Sequence, residues 1–150
     1  MQLSKNLTLH EVLRSATAEK YGIDNNDLTP DKQEKLKQIA NHIFQPARDK
    51  LGPIRVSSGY RSSALNKKIG GASSSQHSKG EALDLQVIKG DNTSLFNYIK
   101  DHLDFDQLIW EFGDANNPQW VHVSYTCKEN NRHMILQSFR EDGKVKYKRI

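Results

Sequence analysis

Two short segments constrain the fold of this chain more than any others: Ala82-Leu83-Asp84-Leu85-Gln86-Val87 and Trp120-Val121-His122-Val123-Ser124. Successive side chains of a β-strand point to opposite faces. In the first segment Leu83, Leu85 and Val87 share one face and Asp84 takes the other; in the second, Val121 and Val123 oppose Trp120, His122 and Ser124. Each strand therefore has an apolar face that needs cover and one metal-capable residue pointing away from it. A carboxylate in mid-strand between two leucines is costly unless it is exposed or has a partner.

The cover comes from helices concentrated early in the chain. Residues 7–18 read as one short helix, with Leu9, Val12, Leu13 and Ala16 on one side. Thr29 is a good N-cap and Pro30 suits the first helical position of a second helix. Its stripe is Leu36, Ile39, Ala40, Ile43, Phe44 and Ala47, with Pro46 expected to kink or shorten it and Gly52-Pro53 to end it. Ile54 to Ser58 alternates as a strand, Ser62 caps a short helix stopped by Gly70-Gly71, and Asp91 to Leu103 reads as a further helix. Strands follow at Gln107 to Phe112 and Trp120 to Ser124, then a hairpin of Met134 to Arg140 and Val145 to Ile150 turning near Asp142-Gly143. Helices mainly first and strands mainly later indicate an α+β fold: a small antiparallel sheet with N-terminal helices packed on one side. The 150 residues predict one domain, 1–150. With 35% hydrophobic residues and a mean hydropathy of −0.78, its core must be small.

Composition narrows the function classes. Cys127 is the only cysteine, which excludes an intramolecular disulfide and any multi-cysteine zinc finger. No apolar run approaches the roughly 20 residues of a membrane span. The opening Met1-Gln2-Leu3-Ser4-Lys5 lacks an apolar signal region, so synthesis in the cytoplasm is expected. A net charge of +4 suits an anionic partner such as nucleic acid, an anionic lipid surface or a wall polymer. No basic helix or aromatic–basic repeat supports nucleic acid.

The polar residues suggest a site. His77 lies seven residues before Asp84, in the loop Ser75-Gln76-His77-Ser78-Lys79-Gly80, and can fold back beside it. With His122 these make a two-imidazole, one-carboxylate set that suits Zn²⁺ with an open position. Each also has an ordinary alternative: a surface histidine, an exposed strand charge and a packed or capped histidine. His10, His42, His102 and His133 read as surface. Arg61 follows a strand, where its guanidinium can grip a carboxylate or stabilise an oxyanion; otherwise it is a surface arginine. Glu111 shares a strand face with Gln107 and Ile109 and is a candidate general base, or a partly exposed strand carboxylate. Trp110 and Trp120 read as core or pocket wall.

In order, Ser57-Ser58-Gly59-Tyr60-Arg61-Ser62, Ser75-Gln76-His77-Ser78-Lys79-Gly80-Glu81-Ala82-Leu83-Asp84 and Trp120-Val121-His122-Val123-Ser124 resemble the zinc D-alanyl-D-alanine carboxypeptidase family. That family includes phage endolysins and D,D-dipeptidases of vancomycin resistance and is related in structure to hedgehog signalling domains. Arg14-Ser15-Ala16-Thr17-Ala18 and Gln45-Pro46-Ala47-Arg48-Asp49 resemble its phage and prophage branch, and the likeness runs from about Leu7 to Tyr125. The resemblance implies a zinc metallopeptidase, a hydrolase of cell-wall peptidoglycan acting as a D,D-carboxypeptidase or endolysin-type endopeptidase. It implies that His77, Asp84 and His122 bind Zn²⁺, that Arg61 holds the substrate carbonyl or carboxylate, and that Ser75 and Gln76 shape the mouth of the site. Trp120 joins them as a substrate-binding wall. Many members carry the catalytic carboxylate three residues before the last zinc histidine, where this chain has Gln119. Glu111 is then the preferred base and Asp114 the second choice. The alternative is a catalytically weak or inactive zinc-containing wall-binding module. A monomer is expected, released to the wall by a phage or prophage, or carried on a virion.

Overall fold

A computed structural model describes all 150 residues, Met1–Ile150. Strands β1 (Gln2–Ser4) and β2 (Leu7–Thr8) form a small hairpin, followed by helices α1 (Leu9–Leu13) and α2 (Ala16–Tyr21). The single helix expected over residues 7–18 is thus a strand and two short helices. Two caps divide it: Thr8 forms a capping box with Glu11, and Ser15 accepts from the Ala18 amide to start α2.

Helix α3 (Pro30–Ile39) starts at the Thr29 cap and runs through a π-helical turn, Ala40–Phe44, into α4 (Gln45–Leu51). Pro46 neither kinks nor ends this run. It lacks an amide hydrogen, and the wide turn just before it moves the preceding bond to Gln45 N–H donating to the Ala40 carbonyl. Strand β3 (Ile54–Ser58), helix α5 (Ser63–Lys68), a 3₁₀ turn at Gln76–Lys79, strand β4 (Ala82–Val87) and helix α6 (Asn92–His102) follow. Four strands complete the chain: β5 (Gln107–Glu111), β6 (Trp120–Ser124), β7 (Met134–Glu141) and β8 (Lys144–Arg149). β5 stops one residue short of Phe112, which takes a left-handed φ of 54°.

The main sheet has six strands in the order β3-β4-β6-β5-β7-β8. The expected small antiparallel sheet is corrected to a larger mixed one, because β5 and β7 run parallel. The chain leaving β6 turns back as in a hairpin but passes over β5 to pair on its far side, and because β5 also runs antiparallel to β6, β5 and β7 share a direction. The α+β class stands.

One apolar cluster of 23 buried residues fills one side of this sheet. Leu83, Leu85, Val121, Val123, Leu108 and Trp110 contribute from the strands, and Leu36, Ile39, Ile43, Phe44, Leu95 and Ile99 from the helices. The helix directly against β4, β5 and β6 is α6, with α4 packed on it, so the cover is not only N-terminal. Every side chain on the other face of these strands is turned away from that core, which is what leaves Asp84, His122 and Glu111 free to build a site.

Candidate metal centre

The pairing of β4 with β6 places Asp84 directly opposite His122. His122 Nδ1 lies 3.0 Å from Asp84 Oδ1. His77 reaches the same carboxylate from the 3₁₀ turn, where the Ser75 hydroxyl accepts from the His77 amide at 3.2 Å. Gly80 ends the turn at φ +77°, and a Cβ there would meet the Lys32 carbonyl at 2.8 Å. Only glycine fits both conditions. The three side chains bring one ligand atom each to within 4.8 Å of the others.

The protonation pattern of His77 fits a cation. Its Nδ1 lies 2.8 Å from the Gly59 carbonyl, to which it can only donate. Nε2 is then a bare lone pair, buried and without a hydrogen-bond partner. It faces Asp84 Oδ1 at 3.4 Å. Two acceptors facing each other out of solvent are unfavourable until a cation sits between them. A backbone carbonyl that fixes the far nitrogen is the usual outer support of a metal-binding imidazole. Zn²⁺ accepts two imidazoles and a carboxylate with a position left open, so these residues suit it.

The Ser-Gly-Tyr-Arg run has a local reason for each residue. Ser58 Oγ accepts from Arg61 Nε at 3.2 Å. Gly59 passes so close to α1 that a Cβ would meet the Val12 carbonyl at 2.4 Å. Tyr60 is buried, its hydroxyl donating to Asp27 at 2.6 Å. Arg61 points into the cleft, Nη2 3.6 Å from Asp84 Oδ2.

Electrostatics divide the acidic groups. Burial works against ionising Asp84, but the carboxyl is held well below the usual range, with His122 Nδ1 in hydrogen-bond contact with Oδ1. Burial pushes His77 down, keeping its imidazole neutral and able to ligate. Burial also lowers Arg61 and raises Glu111. The Ser138 hydroxyl donates to Glu111 Oε2 at 2.5 Å, which opposes the rise without cancelling it.

These groups share a cleft of about 740 Å³. It brings together Arg61, His77, Asp84, His122 and Glu111, with Ser75, Gln76 and Trp120 also on its lining. Gln76 is partly committed, because its amide donates to Asp106 at 3.0 Å. Asp106 is buried and also takes two bonds from the Arg132 guanidinium, at 2.9 and 2.8 Å. Asp114 is outside the cleft; its Oδ1 accepts from the Asn116 and Asn117 amides at 2.8 and 3.0 Å. Gln119 is exposed, and its backbone carbonyl accepts from Gln86 and Asn92. His10, His42, His102 and His133 are exposed, as expected.

Sequence reasoning missed Ser138, Tyr147, Arg132 and Asp106. The first two reach the site only through the parallel pairing of β5 with β7, for which the sequence carries no register signal. Asp106 adjoins the Gln107 strand, and its position just before an apolar run was the one available hint.

Two imidazoles and a carboxylate around one cation position, with a raised carboxyl and a guanidinium in the same cleft, are the equipment of a metal-dependent hydrolase. The chain matches the family model described as peptidase M15 over residues 5–124 and belongs to that family, whose members are zinc-dependent peptidases. No curated protein matches the chain.

Proposed function

We propose that this protein hydrolyses peptide bonds in bacterial peptidoglycan, with Zn²⁺ held by His77, Asp84 and His122 and with Glu111 as general base. The observation that carries the reading is the buried, partnerless His77 Nε2 facing Asp84 in a cleft that also holds Glu111 and Arg61. Bound there, Zn²⁺ supplies a Lewis acid that acidifies water and polarises a carbonyl. Glu111 sits one strand and one row of side chains from His122, since Ile109 pairs with His122 and Glu111 with Trp120. Diagonal neighbours of this kind stand roughly 7–8 Å apart, within reach of one another's side chains across the cleft. Burial raises Glu111 toward neutrality, which suits a group that accepts a proton and returns it to a leaving amine. Arg61 stands where it can hold the substrate's oxyanion or carboxylate.

A wall substrate is supported by the cleft's cations, Arg61, Lys79, Arg132 and Arg140, and by the net charge of +4. The stem peptides of peptidoglycan carry free carboxylates. The setting we favour is a phage or prophage enzyme that acts on the wall after release, with a hedgehog-like α+β frame in one domain. Zinc-loaded protein incubated with purified peptidoglycan should release new amines, and mass spectrometry of the fragments identifies the bond. No release, with one zinc bound per chain, sinks the reading.

A zinc-containing wall-binding module without activity is the second reading. It is favoured by Gln119, an amide exposed outside the cleft where many relatives place a carboxylate. Wall lysis by wild type and by Glu111→Ala separates the two: equal, negligible lysis with retained wall binding selects the module.

A further inference from the structure

The family match ends at residue 124, yet the cleft does not. Strands β7 and β8 lie wholly beyond the match and supply Leu136, Arg140, Val145 and Tyr147 to its lining. Pairing registers explain why. Asp84, His122, Ile109, Leu136 and Arg149 form one row across the sheet. The next row over holds Trp120, Glu111, Ser138 and Tyr147. All these side chains share the face that is turned from the core, so the hairpin continues the site floor into a wall.

Two residues in that second row have environments a purely structural hairpin does not require. Ser138 is 1% exposed, and its hydroxyl is used twice, donating to Glu111 Oε2 at 2.5 Å and accepting from the Phe112 amide at 3.2 Å. The Glu111 carboxylate has no other hydrogen-bond partner, so its orientation depends on this serine. Tyr147 is 55% exposed, with Val145 beside it at 43%, and its phenol makes no hydrogen bond. Tyr147 pairs with Ser138 and lines the cleft together with Glu111 and Asp84, which places the phenol on the cleft side of β8. An aromatic ring left open beside a catalytic cleft offers area and a donor to an extended peptide.

We propose that the β7–β8 hairpin completes the catalytic cleft, with Ser138 as the positioning residue that holds Glu111 and Tyr147 as a substrate-contacting residue on the far wall. The ligand class is an extended peptide, its backbone carbonyl taking the Tyr147 hydroxyl and its side chain lying on Tyr147, Val145 and Leu136. This deepens the peptidase reading and rests on it for the role of Glu111.

Kinetics on soluble stem peptides released from peptidoglycan divide the two roles. Ser138→Ala should lower kcat by about tenfold with KM nearly unchanged, because the loss falls on a group that works only as the transition state forms. Ser138→Thr should restore most of it. Tyr147→Ala should raise KM by about fivefold or more at near-constant kcat, with Tyr147→Phe intermediate. Two further measurements do not need turnover. Calorimetry of the same peptides on zinc-loaded Glu111→Gln should show binding weakened by adding Tyr147→Ala. The ¹³C resonance of the Glu111 carboxyl should titrate higher in Ser138→Ala than in wild type and return in Ser138→Thr, with Arg61, Asp84, His122 and Tyr147 the charged and titratable groups around it. An inactive wild type that binds these peptides through Tyr147 rejects the peptidase reading and keeps the wall. Unchanged KM and peptide affinity in Tyr147→Ala, or unchanged kcat and Glu111 titration in Ser138→Ala, overturns the corresponding role.

Discussion

The two faces of the central strands are built from alternate residues of the same segments, yet they obey opposite rules. On the helix side Leu83, Leu85, Val121 and Val123 are fully buried in apolar contact. One residue away, Asp84 is 7% exposed, almost as buried but polar, and His77, reaching the same face from the 3₁₀ turn, is 3% exposed. Burial of an apolar side chain stabilises by about 1.5–3 kcal/mol. Burial of an ionised carboxylate costs several kcal/mol unless partners recover it. One face therefore holds the sheet together, while the other concentrates charge that only a cation and a substrate fully satisfy.

The sharpest test of that contrast sets Asp84 against its neighbour Leu85. Asp84→Ala should remove one of three ligands and lower zinc affinity and activity by more than about 100-fold, beyond what outer supporting residues are worth. Its metal-free melting temperature should fall less than that of Leu85→Ala, because the desolvation cost of the buried charge disappears while Arg61 and His122 lose a partner. Leu85→Ala should do the reverse. It should destabilise by about 2–5 kcal/mol, with zinc stoichiometry and activity per folded molecule preserved. Calorimetric zinc titration beside thermal unfolding of both variants reads all four quantities. A large stability loss in Asp84→Ala without metal would break the comparison.

Glu111 tests the polar face without touching the metal. Glu111→Gln should retain zinc and lower kcat by about 10²–10⁴, the usual worth of a general base. The pH dependence has a definite sign. Burial raises the carboxyl above its ordinary value, and the base must be deprotonated to work. Activity should therefore fall as pH drops, with its midpoint above the normal glutamate range, and this acid limb should vanish in Glu111→Gln. A limb at an ordinary glutamate value would show that Glu111 is solvated during turnover.

Legibility in the sequence follows the same division. Strands β3, β4 and β6 and helix α6 were readable because local periodicity and caps decide them: Ser62 caps α5 as its position indicated, and α6 fills the span read from Asp91 to Leu103, with Asp91 as its cap. The cation position was readable in outline because Asp84 and His122 stand in mid-strand where only a partner or solvent makes them tolerable. What pairs with what was not readable. The crossover that sets β7 parallel beside β5 depends on the global path of the chain, so the Ser138 bond to Glu111 left no local trace. The break at Arg14 was missed because the apolar spacing continues through it, while Ser15, whose hydroxyl accepts from the Ala18 amide, starts a new helix there.

The smallest effect is expected at Asp114, the carboxylate nearest in sequence to the position Gln119 fills. Its oxygen is occupied by the Asn116 and Asn117 amides, and its carbonyl accepts from the Trp110 indole at 3.1 Å. The Asn117 carbonyl in turn accepts from the Asp114 amide at 3.2 Å, so the whole turn closes on itself. The carboxylate is committed to two backbone donors of its own turn and does not line the cleft. Asp114→Ala should cost about 1 kcal/mol of stability through the lost turn bonds. Its activity per folded molecule should stay within about twofold of wild type, against the loss of at least about 100-fold expected for Glu111→Gln. Peptide hydrolysis by the two variants at matched zinc content decides between the carboxylates, and a collapse in Asp114→Ala alone would mean that the 113–118 loop rearranges to bring that group over the metal.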